Sequence, residues 1–143
     1  MNGRRRKAEA YLRRIQSERK KAGDLNDKVV RLREIAQSAR GVMSGDGSGQ
    51  SSDGLGRSIA KLVDTENEYK AALAKYINDE CEAGKLLHQL RPEYGRLLHL
   101  RFFEDATWAD VASLMHYSER WVYYAYDHAL DDLYALLKDR GLV

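Results

Sequence analysis

The sequence predicts an all-α protein, a long antiparallel helical hairpin followed by a C-terminal three-helix module. Three observations carry that expectation. Two stretches of about forty residues repeat their apolar positions in steps of three and four. The chain has one proline, Pro92, and two phenylalanines, Phe102 and Phe103, too few for a sandwich or barrel of many turn-separated strands. Two helix starts, at Thr107 and Ser118, stand close together with a short turn between them.

The first stretch runs through Ala8, Tyr11, Ile15, Glu18, Ala22, Leu25, Val29, Leu32, Ala36 and Ala39. One amphipathic helix accounts for it, with Gly23-Asp24 as a point where the helix is open to a bend, since mid-helix glycine costs about 1 kcal/mol against alanine. Residues 41–56, GVMSGDGSGQSSDGLG, are rich in glycine and serine, lack apolar periodicity and predict a flexible loop. The second stretch runs through Leu55, Ile59, Leu62, Glu66, Tyr69, Leu73, Tyr76, Glu80, Ala83, Leu87 and Leu90 and stops before Pro92. At 1.5 Å per residue each helix would be about 50 Å long, and matched lengths favour folding back as a hairpin. Two stripes alone leave apolar flanks, which opens the hairpin to completion by a second copy as a homodimer.

Beyond Pro92 the pattern shortens to helices expected over 93–104, 108–115 and 119–138. Thr107 is placed to cap one helix, with Asp110 three residues on, and Ser118 the next. Trp108, Val111, Ala112 and Met115 form one inward face; Val122, Tyr126, Ala129, Leu130, Leu133 and Leu137 form the other. His116 and Tyr117 are left for the turn, where a left-handed residue is required and histidine is tolerated. This is the layout of a helix-turn-helix, with an ordinary αα-corner as the structural alternative. The expected domains are therefore 1–91 and 92–143.

Charge separates along the chain although the net is only +2. Residues 1–40 hold 13 basic against 5 acidic residues, and residues 93–143 hold 5 against 9. A basic N-terminal arm (Arg4, Arg5, Arg6, Lys7, Arg13, Arg14, with Arg19, Lys20 and Lys21) suits a polyanion, though a solvated helix gives the same count. Catalysis finds little support. The histidines His88, His99, His116 and His128 occur singly, Cys81 is the lone cysteine, and the Gly-rich stretch lacks the ending of a phosphate loop. No enzyme activity, metal or cofactor is expected. No membrane-length apolar run or signal-like segment is present, and a reducing, cytoplasmic location is expected.

The stretch EYGRLLHLRFFEDATWADVASLMHYSERWVYYAYDHALDDL, residues 93–133, resembles region 4 of bacterial sigma factors, in the version found in phage-encoded late-gene transcriptional regulators of the ArpU type. The matching parts are Leu100-Arg101-Phe102-Phe103, Thr107-Trp108, Val111-Ala112, Tyr117-Ser118-Glu119-Arg120 and Ala129-Leu130 with Leu133. The resemblance implies a DNA-binding regulator in the cytoplasm of a bacterial host, with double-stranded promoter DNA and RNA polymerase as partners. It puts the helix from Ser118 in the major groove, presenting Ser118, Glu119, Arg120, Tyr123, Tyr124 and Asp127, with Arg120 suited to a guanine edge. Arg96, Arg101, Thr107 and His128 become phosphate contacts. The chain departs from the family where basic residues are usual, offering Tyr124, Asp127, Asp131 and Asp132 instead. The module alone is thus expected to bind DNA weakly unless the arm or polymerase compensates. The alternative is an interaction protein whose helix-turn-helix does not read DNA, such as a DNA-packaging adaptor of the small-terminase kind.

Overall fold

A computed structural model describes the backbone of residues 1–46 and 50–143, and the side chains of residues 1–39 and 54–143. The described residues form five helices and no strand: α1 (Gly3–Asp46), α2 (Gln50–His88), α3 (Pro92–Phe103), α4 (Trp108–Met115) and α5 (Glu119–Asp139). No helix among them is long and apolar enough to cross a membrane.

Two expectations change. The loop expected over 41–56 is helical at 41–46 and 50–56, while 47–49 lie outside the described residues. Composition misleads here because an established helix gains one backbone hydrogen bond per added residue, and glycine's cost opposes that gain without forbidding it. Helix α1 also runs through Gly23 and Asp24 without a break.

The chain divides into two compact units, one of Met1–Ser17 with Ile77–Val143, the other of Glu18–Tyr76. This division does not coincide with the boundary expected at 91–92, because the outer ends of α1 and α2 pack with the three short helices. In the second unit, Ala22, Val29, Leu32 and Ala36 of α1 are buried. The α2 positions Leu55, Ile59, Leu62, Tyr69, Leu73 and Tyr76 are only half-buried. The pairs Lys75–Glu18 (3.8 Å) and Arg33–Glu66 (3.2 Å) run in antiparallel register. Two of the three acidic interruptions of the apolar stripes, Glu18 and Glu66, thus meet a cation on the facing helix, which limits the cost of placing a carboxylate there.

The first unit holds the larger core. Leu97 and Leu98 of α3, Val111 of α4, and Val122, Leu130, Leu133 and Leu137 of α5 are fully buried, joined by Leu12 and Ile15 of α1 and Leu86 of α2. Pro92 begins α3, where its missing N–H costs nothing. Gly95 then allows α3 to cross the end of α2: a Cβ there would lie 2.5 Å from the Leu87 carbonyl oxygen. The α3–α4 turn places Asp105 at φ 53°, and the Gln16 Nε2 of α1 donates to its carboxylate at 2.9 Å.

Candidate nucleic-acid interface

The turn between α4 and α5 is built as the residue types require. Thr107 caps α4 by accepting from the Asp110 N–H at 3.1 Å, and Ser118 caps α5 by accepting from the Trp121 N–H at 3.1 Å. His116 adopts the left-handed conformation, φ 60° and ψ 37°. Its N–H donates to Ser113, and the Tyr117 N–H donates to Ala112 at 3.0 Å. Together these bonds close a Schellman motif, satisfying the last carbonyls of α4 and turning the chain sharply into α5.

From that turn α5 presents two contrasting halves. Ser118, Glu119, Arg120, Tyr123 and Tyr124 are exposed, Tyr123 by 50% and Tyr124 by 61%. The inward face, Val122, Tyr126, Ala129, Leu130, Leu133 and Leu137, is buried as expected, with Ala125 in addition. Arg120 has no ion-pair or hydrogen-bond partner among the described residues, so its planar fork is open. Trp121 is half-buried and stacks on Tyr117 at 3.7 Å and 18°.

The flanking candidates are held in different ways. Arg101 is half-buried, donates to the Ala106 carbonyl at 3.0 Å and lies over the Trp108 ring at 4.4 Å; its guanidinium braces the α3–α4 turn. His128 packs against Tyr124 at 4.3 Å. Arg96 is exposed on α3 and lines a cavity with residues of α2. Thr107 spends its hydroxyl on the cap but remains exposed.

The basic arm is held in part by the rest of the fold. It is the first turns of α1, whose Ala8, Tyr11, Leu12 and Ile15 are buried. Arg5 forms a two-bond pair with Asp131, Nε to Oδ1 at 2.9 Å and Nη2 to Oδ2 at 2.8 Å, and lies 3.6 Å from Asp127. Neither Arg5 nor Asp127 therefore faces solvent as an unengaged group. Arg13 is exposed but bonded to Glu9 at 2.8 Å, and Arg14 lies over the Tyr11 ring. Arg4, Arg6 and Lys7 stay exposed. Tyr126, on the inward face of α5, donates its hydroxyl to Glu9 Oε2 at 2.6 Å. These α1–α5 links were not predicted. The only available signal was complementary charge between the arginine run and the acidic departures of α5.

The electrostatics follow from these pairs. The hydrogen bond from Arg5 holds the Asp131 carboxyl below the ordinary aspartate value of 3.8, against the opposing effect of burial. Burial disfavours the Glu9 carboxylate, but the Tyr126 hydroxyl and Arg13 outweigh it and Glu9 also titrates low. Burial first, then the neighbouring Glu9 carboxylate, push the Tyr126 hydroxyl upward, so it stays a donor at physiological pH. A carboxylate whose folded pKa is depressed stabilises the fold above its unfolded pKa and loses that contribution as pH falls through the folded one. The melting temperature of Asp131→Asn is accordingly expected to lie below that of the parent at neutral pH, and the gap to narrow as pH falls below the ordinary aspartate range and through the lowered folded-state value of Asp131. A gap that is constant with pH would remove Arg5–Asp131 as its cause.

Among the described residues no group of three or more His, Cys, Asp or Glu could hold a metal ion. Comparison with protein-family models, characterised proteins and solved structures finds no match to this chain.

Proposed function

We propose that this protein is a DNA-binding transcriptional regulator of phage or prophage late genes, reading promoter DNA with the first two turns of α5 and engaging the host RNA polymerase. The observation that carries the reading is the Schellman turn at His116, which leaves Ser118, Glu119, Arg120, Tyr123 and Tyr124 exposed at the start of a helix anchored by a fully buried face. A recognition helix of this motif places its N-terminal residues against base edges in the major groove. The α1 pairing also supports the reading: Arg5 neutralises acidic residues of α5, while Arg4, Arg6 and Lys7 beside it stay available for phosphates.

Arg120 reads a guanine through its two-pronged donor edge, and Glu119 accepts from cytosine. The half-buried α2 stripe, with Val30, Ile35 and Val63 exposed, supports a homodimer through the 18–76 unit. A second reading is favoured by the exposed Leu114, Tyr117, Tyr123 and Tyr124. It is a helical adaptor that uses this apolar surface for protein contact, as in a small-terminase-like packaging subunit.

Fluorescence anisotropy with labelled duplexes from the upstream regions of the encoding phage, set against random duplex, tests the proposal. Arg120→Ala is expected to weaken site-specific binding by about 1–3 kcal/mol and to leave random-duplex binding unchanged. Equal affinity of the parent for both duplexes, at every salt concentration, would favour the adaptor. A closed ring of many subunits in light scattering would identify it as the packaging kind.

A further inference from the structure

At the corner where α2 meets α3 there is a cavity of about 460 Å³, lined by Gly84, Leu87, His88, Leu90, Pro92, Gly95, Arg96 and His99. That volume lies within the range of small-molecule sites. Leu87 and Leu90 are buried and with Pro92 give it an apolar floor, while Arg96, His88 and His99 stand exposed at its rim. No carboxylate lines it, although residues 77–143 hold 12 acidic against 7 basic residues. Arg96 and His88 have no ion-pair or hydrogen-bond partner among the described residues, and His99 lies 3.4 Å from Glu104. The neighbouring Arg91, by contrast, is engaged by Glu93 and lies over the Tyr94 ring.

The two glycines differ in a telling way. Gly95 is required by the helix crossing, since the Leu87 backbone occupies the space of a side chain. At Gly84 nothing stands within 4 Å of where a Cβ would be, so packing does not demand glycine in this helical turn. Glycine there is destabilising relative to alanine. Its consequence is an open cavity.

We propose that this cavity binds a small organic anion with an apolar body, its head group held by Arg96 and the flanking imidazoles and its body lying on Leu87, Leu90 and Pro92. A guanidinium pairs with a carboxylate or phosphate through two parallel bonds, and the floor selects an apolar body over a bare anion. The site does not rest on the DNA reading and is tested without DNA.

The experiment titrates octanoate into the full chain, followed by NMR of the Gly84 and Gly95 amides and the His88 and His99 ring protons, with octylammonium and inorganic phosphate as separate probes. Saturable shifts with octanoate are expected, weakened on the order of tenfold by Arg96→Gln, which removes one charge-assisted contact. Gly84→Leu fills the cavity from a position with room for it and is expected to abolish binding while retaining the folded spectrum. Octylammonium binding as well as octanoate, inorganic phosphate reproducing the same shifts at equal affinity, or octanoate binding that both variants leave unchanged would overturn the proposal.

Discussion

Leu12→Ala is expected to lower the unfolding free energy by about 2–4 kcal/mol, and to do so in the helix-turn-helix unit although Leu12 lies in α1. The side chain is fully buried, and its neighbours on the same face, Ala8 and Ile15, are equally inaccessible. Deleting three carbons there forfeits transfer free energy and leaves a cavity that the surrounding buried side chains fill only in part. The readout is specific. Both tryptophans, Trp108 and Trp121, lie in α4 and α5, so their fluorescence reports unfolding of the three-helix module. A urea midpoint by tryptophan fluorescence that is unchanged in Leu12→Ala would mean that α1 is not part of that module's cooperative unit. The same packing implies that residues 92–143 by themselves lack part of their core, and DNA-binding measurements belong on the whole chain.

Gly95→Ala is expected to cost about 1–3 kcal/mol or more, the penalty of overpacking where the obstructing group cannot rotate away. The atom that a methyl group would meet, at 2.5 Å, is the Leu87 backbone oxygen. That oxygen also accepts from the Leu90 N–H at 3.2 Å in the turn leaving α2. Relief therefore requires moving α3 away from α2, which loosens buried Leu86, Leu97 and Leu98 together. Chemical denaturation followed by circular dichroism measures the loss; an unchanged midpoint would show that the two helices separate at no cost. Gly84→Ala provides the control, because it adds the same methyl group to the neighbouring helix with nothing within 4 Å to oppose it.

Much of the architecture was legible from local pattern. The three short helices begin and end within a residue or so of expectation, because Pro92, Thr107 and Ser118 mark their starts by chemistry that needs no distant partner. The αL turn was readable for the same reason: His116 alone stood between two capped segments. Periodicity also identified the buried stripe of α1, including Ala22, Val29, Leu32 and Ala36. It missed Leu12, Leu86 and Ala125, each adjacent to a stripe position, because a two-helix hairpin exposes residues that further packing helices bury. At 41–46 and 50–56 the helices extend into the Gly/Ser stretch, because composition reports intrinsic preference while helix ends are also set by propagation from stable neighbours.

The sequence by itself determined the all-helical class, the order of the elements, the caps and the outward face of α5, all consequences of spacing within a few residues. Only the tertiary structure decided that the arginine run is a docked helix, that Arg5 is engaged by Asp131 and Asp127, and that Tyr126 is turned toward Glu9. Those pairs join residues more than a hundred positions apart, where no periodicity constrains the partner. Their geometry is set by the burial of Ala8, Tyr11, Leu12 and Ile15, which brings one face of α1 into the core and carries its charges with it.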